Sequence, residues 1–425
     1  MTASVFIIVS LFLVVGMPVA FSLGLTGLAG LFALEGMGAY HGLTMIVYES
    51  LHSFTLTAIP LFILMANILI HSKISEDLYR LIYGLVGHLP GGLGIATVLF
   101  CAGFSAISGS SVATAATVGM LAIPEMLKAG YDRRFTYGLV AAGGTLGILI
   151  PPSLSMILYG ALTDVSVGDL FVAGIIPGII LTGLFLIYTV IHSRRRGYGR
   201  AQKAGRRERV TAFKRASWGL VLPPLVVGGI YLGWFTPTEA AGVGVVYSLA
   251  AALISRRIKI TGLMPVLLAT IRTTAMVLTI IIGAIIFGHV VTLLQVPQHL
   301  INFLAQMDVA PWQFIVLVCI MFIFLGDFLE VVSITIITLP IIFPVLLALG
   351  INPVWFAVIM TINMEFALIT PPVGLNLFVI KGVVEEATLN EVFRGTLPFM
   401  ILMLATLVLV ILAPPLSTWL PALVK

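Results

Sequence analysis

Apolar runs of helical length, interrupted by glycine, proline or charge, fill almost the whole chain. Read as helices, they fall near 3–15, 19–34, 44–71, 133–163 and 168–192, then near 217–235, 238–255, 262–294, 352–383 and 391–414. The segments 91–127 and 311–349 break this rhythm. Each could hold two short helices, and each has a polar or charged interruption at its middle: Ser108, Gly109, Ser110 and Ser111 in one, Gly326 through Asp327 to Glu330 in the other. Unsatisfied backbone at membrane depth survives only inside protein or beside a wet cavity. Both segments are therefore expected to be re-entrant hairpins that enter and leave on the same side. The short, polar-interrupted segments 73–88 and 296–308 read as interfacial arms beside them.

The pattern repeats. Pro151-Pro152 and Pro371-Pro372 lie 220 residues apart, and the same offset aligns Pro124 with Pro344, Leu127 with Leu347, Gly130 with Gly350 and Phe135 with Trp355. It also pairs Gly24 with Gly244 and Gly42-Leu43 with Gly262-Leu263. Single leucine or glycine matches arise by chance in so apolar a sequence, but two Pro-Pro pairs and a further pair of prolines in register, within an offset that holds over more than 100 residues, indicate an internal duplication. In a membrane protein, two such halves point to a transporter with its site at the repeat interface.

Composition narrows the class. With 60% hydrophobic and 9% charged residues and a mean hydropathy of +1.16, 425 residues could not cover a water-facing surface, so the chain is polytopic in a membrane. Cys101 and Cys319 both lie in apolar runs and make neither a disulfide framework nor a metal site. No Lys or Arg precedes Lys73, so no basic signal-peptide region is expected and the first segment is expected to be retained.

Charge sets the topology. Ten of the 22 Lys and Arg residues lie between Arg194 and Arg215, without the aromatic interleaving of a nucleic-acid surface, and are read as a cytoplasmic linker over 194–216. A hairpin adds no net crossing, so each half crosses five times and the halves are inverted. On that count Lys73, Arg80, Lys128, Arg133, Arg134, Arg256, Arg257, Lys259, Lys381 and Arg394 share the linker's side. The outer loops near 35–43, 164–168, 236–238, 295–310 and 350–352 carry no Lys or Arg. The expected architecture is all-α: a first repeat over 1–193, the linker 194–216, and a second repeat over 217–425. Each repeat has about five transmembrane helices, a re-entrant hairpin and a broken helix (133–163 or 352–383), with both termini outside. The first hairpin opens from inside and the second from outside.

Candidate chemistry gathers at the breaks. Two successive prolines remove two backbone donors and free carbonyls at mid-membrane. Such carbonyls with hydroxyls suit Na⁺, and the N-terminal ends of the following half-helices suit a carboxylate. In the first half the material is Ser108, Ser110, Ser111, Gly144, Thr145 and Gly147; in the second it is Gly326, Thr335, Thr338, Asn363 and Thr370. The plain alternative is that these small residues only allow close helix packing. Asp327, Glu330 and Glu365 are acids in membrane-depth segments, each able to meet a cation, a proton or a substrate group, with simple exposure to an outer aqueous cavity the alternative for Asp327. Arg272 could meet an anionic substrate, snorkel inward or pair with a carboxylate; His289 reads as a packed polar group. No Gly-Lys-Ser/Thr phosphate loop and no HExxH or paired-Cys spacing occurs, so neither ATP hydrolysis nor a transition-metal site is expected.

Several stretches together resemble the large membrane subunit of tripartite ATP-independent periplasmic (TRAP) transporters, the DctM-like family within the ion transporter superfamily. They are GFSAISGSSVAT over 103–114, GILIPPS over 147–153, FTPTEAAG over 235–242, GDFLE over 326–330 and ITPPVGLNLFV over 369–379. The family pattern usually ends the second tip in Asp, where this chain has Glu330. The resemblance implies Na⁺-driven uptake of an organic acid, such as sialic acid or a C4-dicarboxylate, handed over by a soluble periplasmic binding protein at the bacterial inner membrane. It implies an elevator motion, with hairpins and broken helices moving as a transport domain against a scaffold. That scaffold is braced by a small membrane subunit of about four helices, expected here as a separate chain. Carried over by residue, the resemblance assigns a first Na⁺ site to Ser108, Ser110, Gly147, Ile150 and Pro152 and a second to Gly326, Ala367 and Thr370, for two or more ions. It assigns substrate contacts to Ser153, Ser155, Glu330 and Asn376. Two other readings stand beside it: a permease of an ATP-driven importer, and an intramembrane serine protease using Ser108 and His289.

Overall fold

The structure is a computed structural model that describes residues 2–199, 205–326, 328–371 and 374–424. Among these residues it is all helix, with no strand. The first repeat runs α1 (Thr2–Val14), α2 (Val19–Glu35), α3 (Ala39–Leu51), α4 (Ala58–His71), α5 (Ile74–Val86), α6 (Gly92–Ser108), α7 (Ser111–Lys128), α8 (Arg133–Thr145), α9 (Leu154–Thr163) and α10 (Val167–Arg196). The second runs α11 (Arg206–Pro223), α12 (Gly229–Tyr231), α13 (Pro237–Ile254), α14 (Leu263–Leu293), α15 (Val296–Gln306), α16 (Pro311–Gly326), α17 (Val331–Ala348), α18 (Pro353–Ala367), α19 (Leu375–Val383), α20 (Leu389–Leu412) and α21 (Pro415–Val424). Six helical segments among the described residues are long and apolar enough to cross a membrane.

The 220-residue offset is visible in the element bounds. Adding it to α7 gives Val331–Ala348, the bounds of α17, and α8 and α18 start 220 residues apart. Contacts between the halves come in exchanged pairs: α2 packs on α14 as α13 packs on α4, and α7 packs on α19 as α17 packs on α9. Such exchange is what a pseudo-two-fold between inverted repeats requires. Each hairpin is thus clasped by the second half of the other repeat's broken helix.

One expectation needs correction, and two helical features go beyond what the sequence pattern predicts. The helix expected over 44–71 is two, because Pro60 cannot donate to the preceding turn and its ring crowds the carbonyl four residues back. A short 3₁₀ turn at Phe54–Thr57 takes up the break. Within the expected linker over 194–216, α10 continues to Arg196 and α11 starts at Arg206, where the Glu208 carboxylate accepts the Gly205 N–H (2.9 Å). The chain also forms a further helix, α21, after Pro414.

Close helix approach depends on missing side chains. The Cβ that Gly138 of α8 lacks would overlap the backbone of Gly395 on α20. We expect Gly138→Val to lower the thermal midpoint of the purified protein, overpacking here costing about 1–3 kcal/mol or more. Gly183→Ala on α10, which faces open space, should stay within about 0.5 kcal/mol of the parent.

Candidate functional site

The first tip is a tight reversal between α6 and α7. Gly109 holds it with a φ of +60°, a conformation most side chains resist. Ser110 caps α7, its hydroxyl accepting the Ala113 N–H (3.4 Å). The Ser108 hydroxyl lies 2.7 Å from that of Thr114, which also donates to the Ser110 carbonyl at 2.8 Å. Opposite, α8 ends at Thr145, passes through a 3₁₀ turn at Leu146–Ile148, and restarts as α9 after Pro151 and Pro152. Ser153 caps the restart, donating its own hydroxyl proton toward the Ile148 carbonyl (2.5 Å) and lying 2.9 Å from the Ser155 hydroxyl.

Tip and break are in contact. The Leu154 N–H donates to the Gly109 carbonyl (3.4 Å), and a Cβ on Gly147 would stand 2.7 Å from the Ser110 carbonyl oxygen. Ser108, Ser110, Gly147 and Pro152 are therefore brought to one junction rich in carbonyl and hydroxyl oxygen. Ile150 turns its side chain away, against Gly178 of α10. Thr145 is buried, its hydroxyl donating to the Ala142 carbonyl of its own helix (2.7 Å).

The second junction is drier. A Cβ on Gly326 would meet the side chain of Ala367, so the end of α16 lies directly on the end of α18. The Thr370 hydroxyl donates to Phe366 O (2.7 Å), while those of Thr335 and Thr338 donate to carbonyls one turn back. Asn363 donates to the Cys319 sulfur at 3.1 Å. Glu365 is fully buried, and neither carboxylate oxygen has a hydrogen-bond partner among the described residues. Asp327 and Pro372 lie outside the described residues.

Between the two junctions lies a cavity of about 390 Å³. Ser108, Ser110, Pro152, Ser153, Ser155 and Glu330 line it, with Asn67 of α4 and Thr273 of α14 on the facing wall. The first residues of α7, α9, α17 and α19 (Ser111, Leu154, Val331 and Leu375) all border it, so four helix N-termini converge on one space. Among the described residues that line it there is no Lys, Arg or His, and Glu330 is the one formal charge. Arg272 sits on an exposed face of α14 and is not in the lining; its neighbour Thr273 is. Asn376 is also outside the lining: buried behind the wall, it donates to the Ser111 hydroxyl (2.8 Å) and to the Ala141 carbonyl (2.9 Å), tying α19 to the first repeat. Sequence reasoning passed over Asn67, Thr114 and Thr273. Thr114 sits four residues past Ser110, one helical turn on, a spacing that could have singled it out; Asn67 and Thr273 carry no local signal.

A family profile described as "Tripartite ATP-independent periplasmic transporter, DctM component" matches residues 6–416. The chain is 40% identical over 380 residues, 89% of each protein, to the C4-dicarboxylate TRAP transporter large permease protein DctM of Pseudomonas aeruginosa. It is 34% identical to the sialic acid TRAP transporter large permease protein SiaM of Vibrio cholerae, over 97% of this chain and 96% of that one. This chain belongs to the DctM family of TRAP transporter components. Its fold is shared with a crystal structure of the Alcanivorax borkumensis YdaH transporter, described as having an unusual topology, at a TM-score of 0.66 and 16% identity over 90% of each chain.

A DctM-family chain is a multi-pass transporter component rather than an enzyme, which removes the serine protease reading. The geometry agrees, since the Ser108 hydroxyl is engaged with Thr114 and the Ser110 carbonyl. We expect Asn376→Ala to destabilise the purified protein by about 1–3 kcal/mol, the cost of leaving a buried hydroxyl unpaired, read as a fall in thermal midpoint. An unchanged midpoint would show that the link between repeats contributes nothing.

Proposed function

We propose that this chain is the permease of a secondary transporter in which inward Na⁺ flow drives uptake of an organic acid delivered by a periplasmic binding protein. The observation that carries this reading is the convergence of four helix N-termini on a cavity whose described lining has no basic side chain. Each N-terminus carries roughly half an elementary charge, so together they favour an anion while their backbone N–H groups supply its hydrogen bonds. One of the four, α17, has no side-chain cap, which leaves first-turn donors for a ligand, whereas in α19 the Asn376 and Leu377 N–H groups donate to the Leu368 and Gly374 carbonyls.

The carboxyl of Glu330, whenever it is ionised beside that anion, calls for a compensating cation. The oxygen-rich junction of Ser108, Ser110, Gly147 and Pro152 suits Na⁺, as does the region of Gly326, Ala367 and Thr370. Relatives named for C4-dicarboxylate and sialic acid support a carboxylate substrate. In this account the chain sits in the bacterial inner membrane with the basic 194–216 region in the cytoplasm and both termini outside, so that the hairpins are re-entrant from opposite faces. It works without ATP, beside a separate small membrane subunit of about four helices.

Access to both sides follows from an elevator. Both tips and breaks interlock across the repeats, whereas α2, α4, α13 and α14 pack mainly on one another. Sliding the interlocked body as a unit keeps its broken backbone satisfied; opening a tip locally would leave carbonyls unpaired.

Proteoliposomes holding the transporter and its binding protein should accumulate the acid only under an inward Na⁺ gradient. Ser108→Ala, which removes one oxygen, should raise the Na⁺ needed for half-maximal uptake by roughly threefold to tenfold, the factor for about 1 kcal/mol. Equal uptake with K⁺ or choline in place of Na⁺ would refute the coupling.

A further inference from the structure

The basic region has its own architecture. Helix α11 lies along α5, an amphipathic helix with Ile74, Leu78 and Leu81 buried. Two cavities flank their contact, on opposite faces of α11. One, about 620 Å³, is walled by Arg80 of α5 and by Arg206, Arg207 and Arg215 of α11. The two acids in its wall are already engaged: Asp77 is buried and ion-paired with Arg257, and Glu208 accepts the Gly205 N–H at 2.9 Å. The other, about 450 Å³, is walled by Leu81, Leu85, Val210 and Phe213 together with Arg209 and Lys214. Leu85, Val210 and Phe213 are 46%, 48% and 58% exposed, too much contiguous apolar surface to leave to water.

The two faces fix the depth of the helix. An apolar groove edged by basic residues belongs at the boundary between acyl chains and headgroups. The arginine-walled cleft on the opposite face of the same two turns then opens at headgroup level. Guanidinium forks match phosphate oxygens in pairs, and a leaflet rich in anionic lipid supplies such phosphates at high local concentration.

We propose that the cleft between α5 and α11 binds the headgroup of an anionic phospholipid. Arg80, Arg206, Arg207 and Arg215 hold the phosphate, and the acyl chains of neighbouring lipids cover the groove of Leu85, Val210 and Phe213 on the other face of α11. The bound lipid staples α11 to α5, and hence to α4, which stands next to α5 in the chain and lines the substrate cavity. The inference rests on the proposed membrane placement of α11 and not on Na⁺ coupling, so a failed uptake assay leaves it standing.

The test titrates the purified full-length transporter in neutral detergent with dioleoyl phosphatidylglycerol, with dioleoyl phosphatidylcholine and with inorganic phosphate, reading the thermal midpoint and lipid adducts by native mass spectrometry. Phosphatidylglycerol should raise the midpoint saturably and appear as a retained adduct; phosphatidylcholine should do neither. The combined substitution Arg80→Gln, Arg206→Gln, Arg207→Gln and Arg215→Gln should weaken phosphatidylglycerol binding by about tenfold or more, while Lys128→Gln, an exposed cation on α7, should leave it unchanged. If the combined variant does not fold, Arg206→Gln and Arg207→Gln singly should each weaken binding by about threefold. Saturation by inorganic phosphate alone, equal binding of phosphatidylcholine, or unchanged affinity in the arginine variants would overturn the proposal. Loss of small-subunit copurification with lipid affinity intact would also overturn it, by assigning the cleft to a protein contact.

Discussion

A broken helix at membrane depth cannot be left facing lipid, because hydrocarbon offers nothing to its freed carbonyls and amides. This chain has two such breaks, at 146–153 and between the end of α18 at Ala367 and the start of α19 at Leu375, and the arrangement around them follows from covering both. Each break is met by a hairpin tip from its own repeat: Ser110 lies against Gly147, and Gly326 lies against Ala367. Each restarted half-helix then packs on the hairpin of the other repeat. The repeats interlock because each half-helix that follows a break is buried against the other repeat's hairpin. The same geometry brings four helix starts to the border of one cavity, so a structural necessity and the proposed binding site share their atoms.

Electrostatics explains why the site needs no arginine. A fixed cation would hold an organic acid strongly in every state of the cycle and slow its release. Helix N-termini supply a softer, geometrically directed field. With Glu330 at the cavity wall, that field alone is a modest attraction, and the proposed Na⁺ ions would make the site favourable for the acid only when they are bound. In the proposed Na⁺-driven cycle, coupling would rest on charge balance rather than on a separate gate.

What could be read from the chain was local. Prolines and glycines impose their geometry without help from neighbours, so the duplication, the hairpin tips at Ser108 to Ser111 and at Gly326, and the break at Pro151 were legible directly. The helix over 44–71 was misjudged because Pro60 sits inside an otherwise continuous apolar run, and hydropathy does not register a missing N–H. The basic region reads only as a linker because its charge masks a capped helix. Asn376 is expected among the substrate contacts; what the chain does not announce is its bonding to the Ser111 hydroxyl and the Ala141 carbonyl of the first repeat. Residues that matter through distant partners, such as Asn67 and Thr273, could emerge only once α4 and α14 were placed across the cavity.

The central claim is that both hairpins and both broken helices travel as one body against α14 and its neighbours. Two cysteine pairs test it directly, in a background with Cys101→Ala and Cys319→Ala. Gly119→Cys with Val383→Cys joins α7 to α19 inside the body, where a Cβ on Gly119 would stand 3.5 Å from the Val383 side chain. Gly288→Cys with Pro340→Cys joins α14 to α17 across its boundary, at a matching 3.5 Å. Oxidation should leave uptake intact in the first pair and arrest it in the second, with reductant restoring it. Uptake that survives the Gly288–Pro340 crosslink but fails with the Gly119–Val383 crosslink would contradict a moving body and point instead to local opening of the tips.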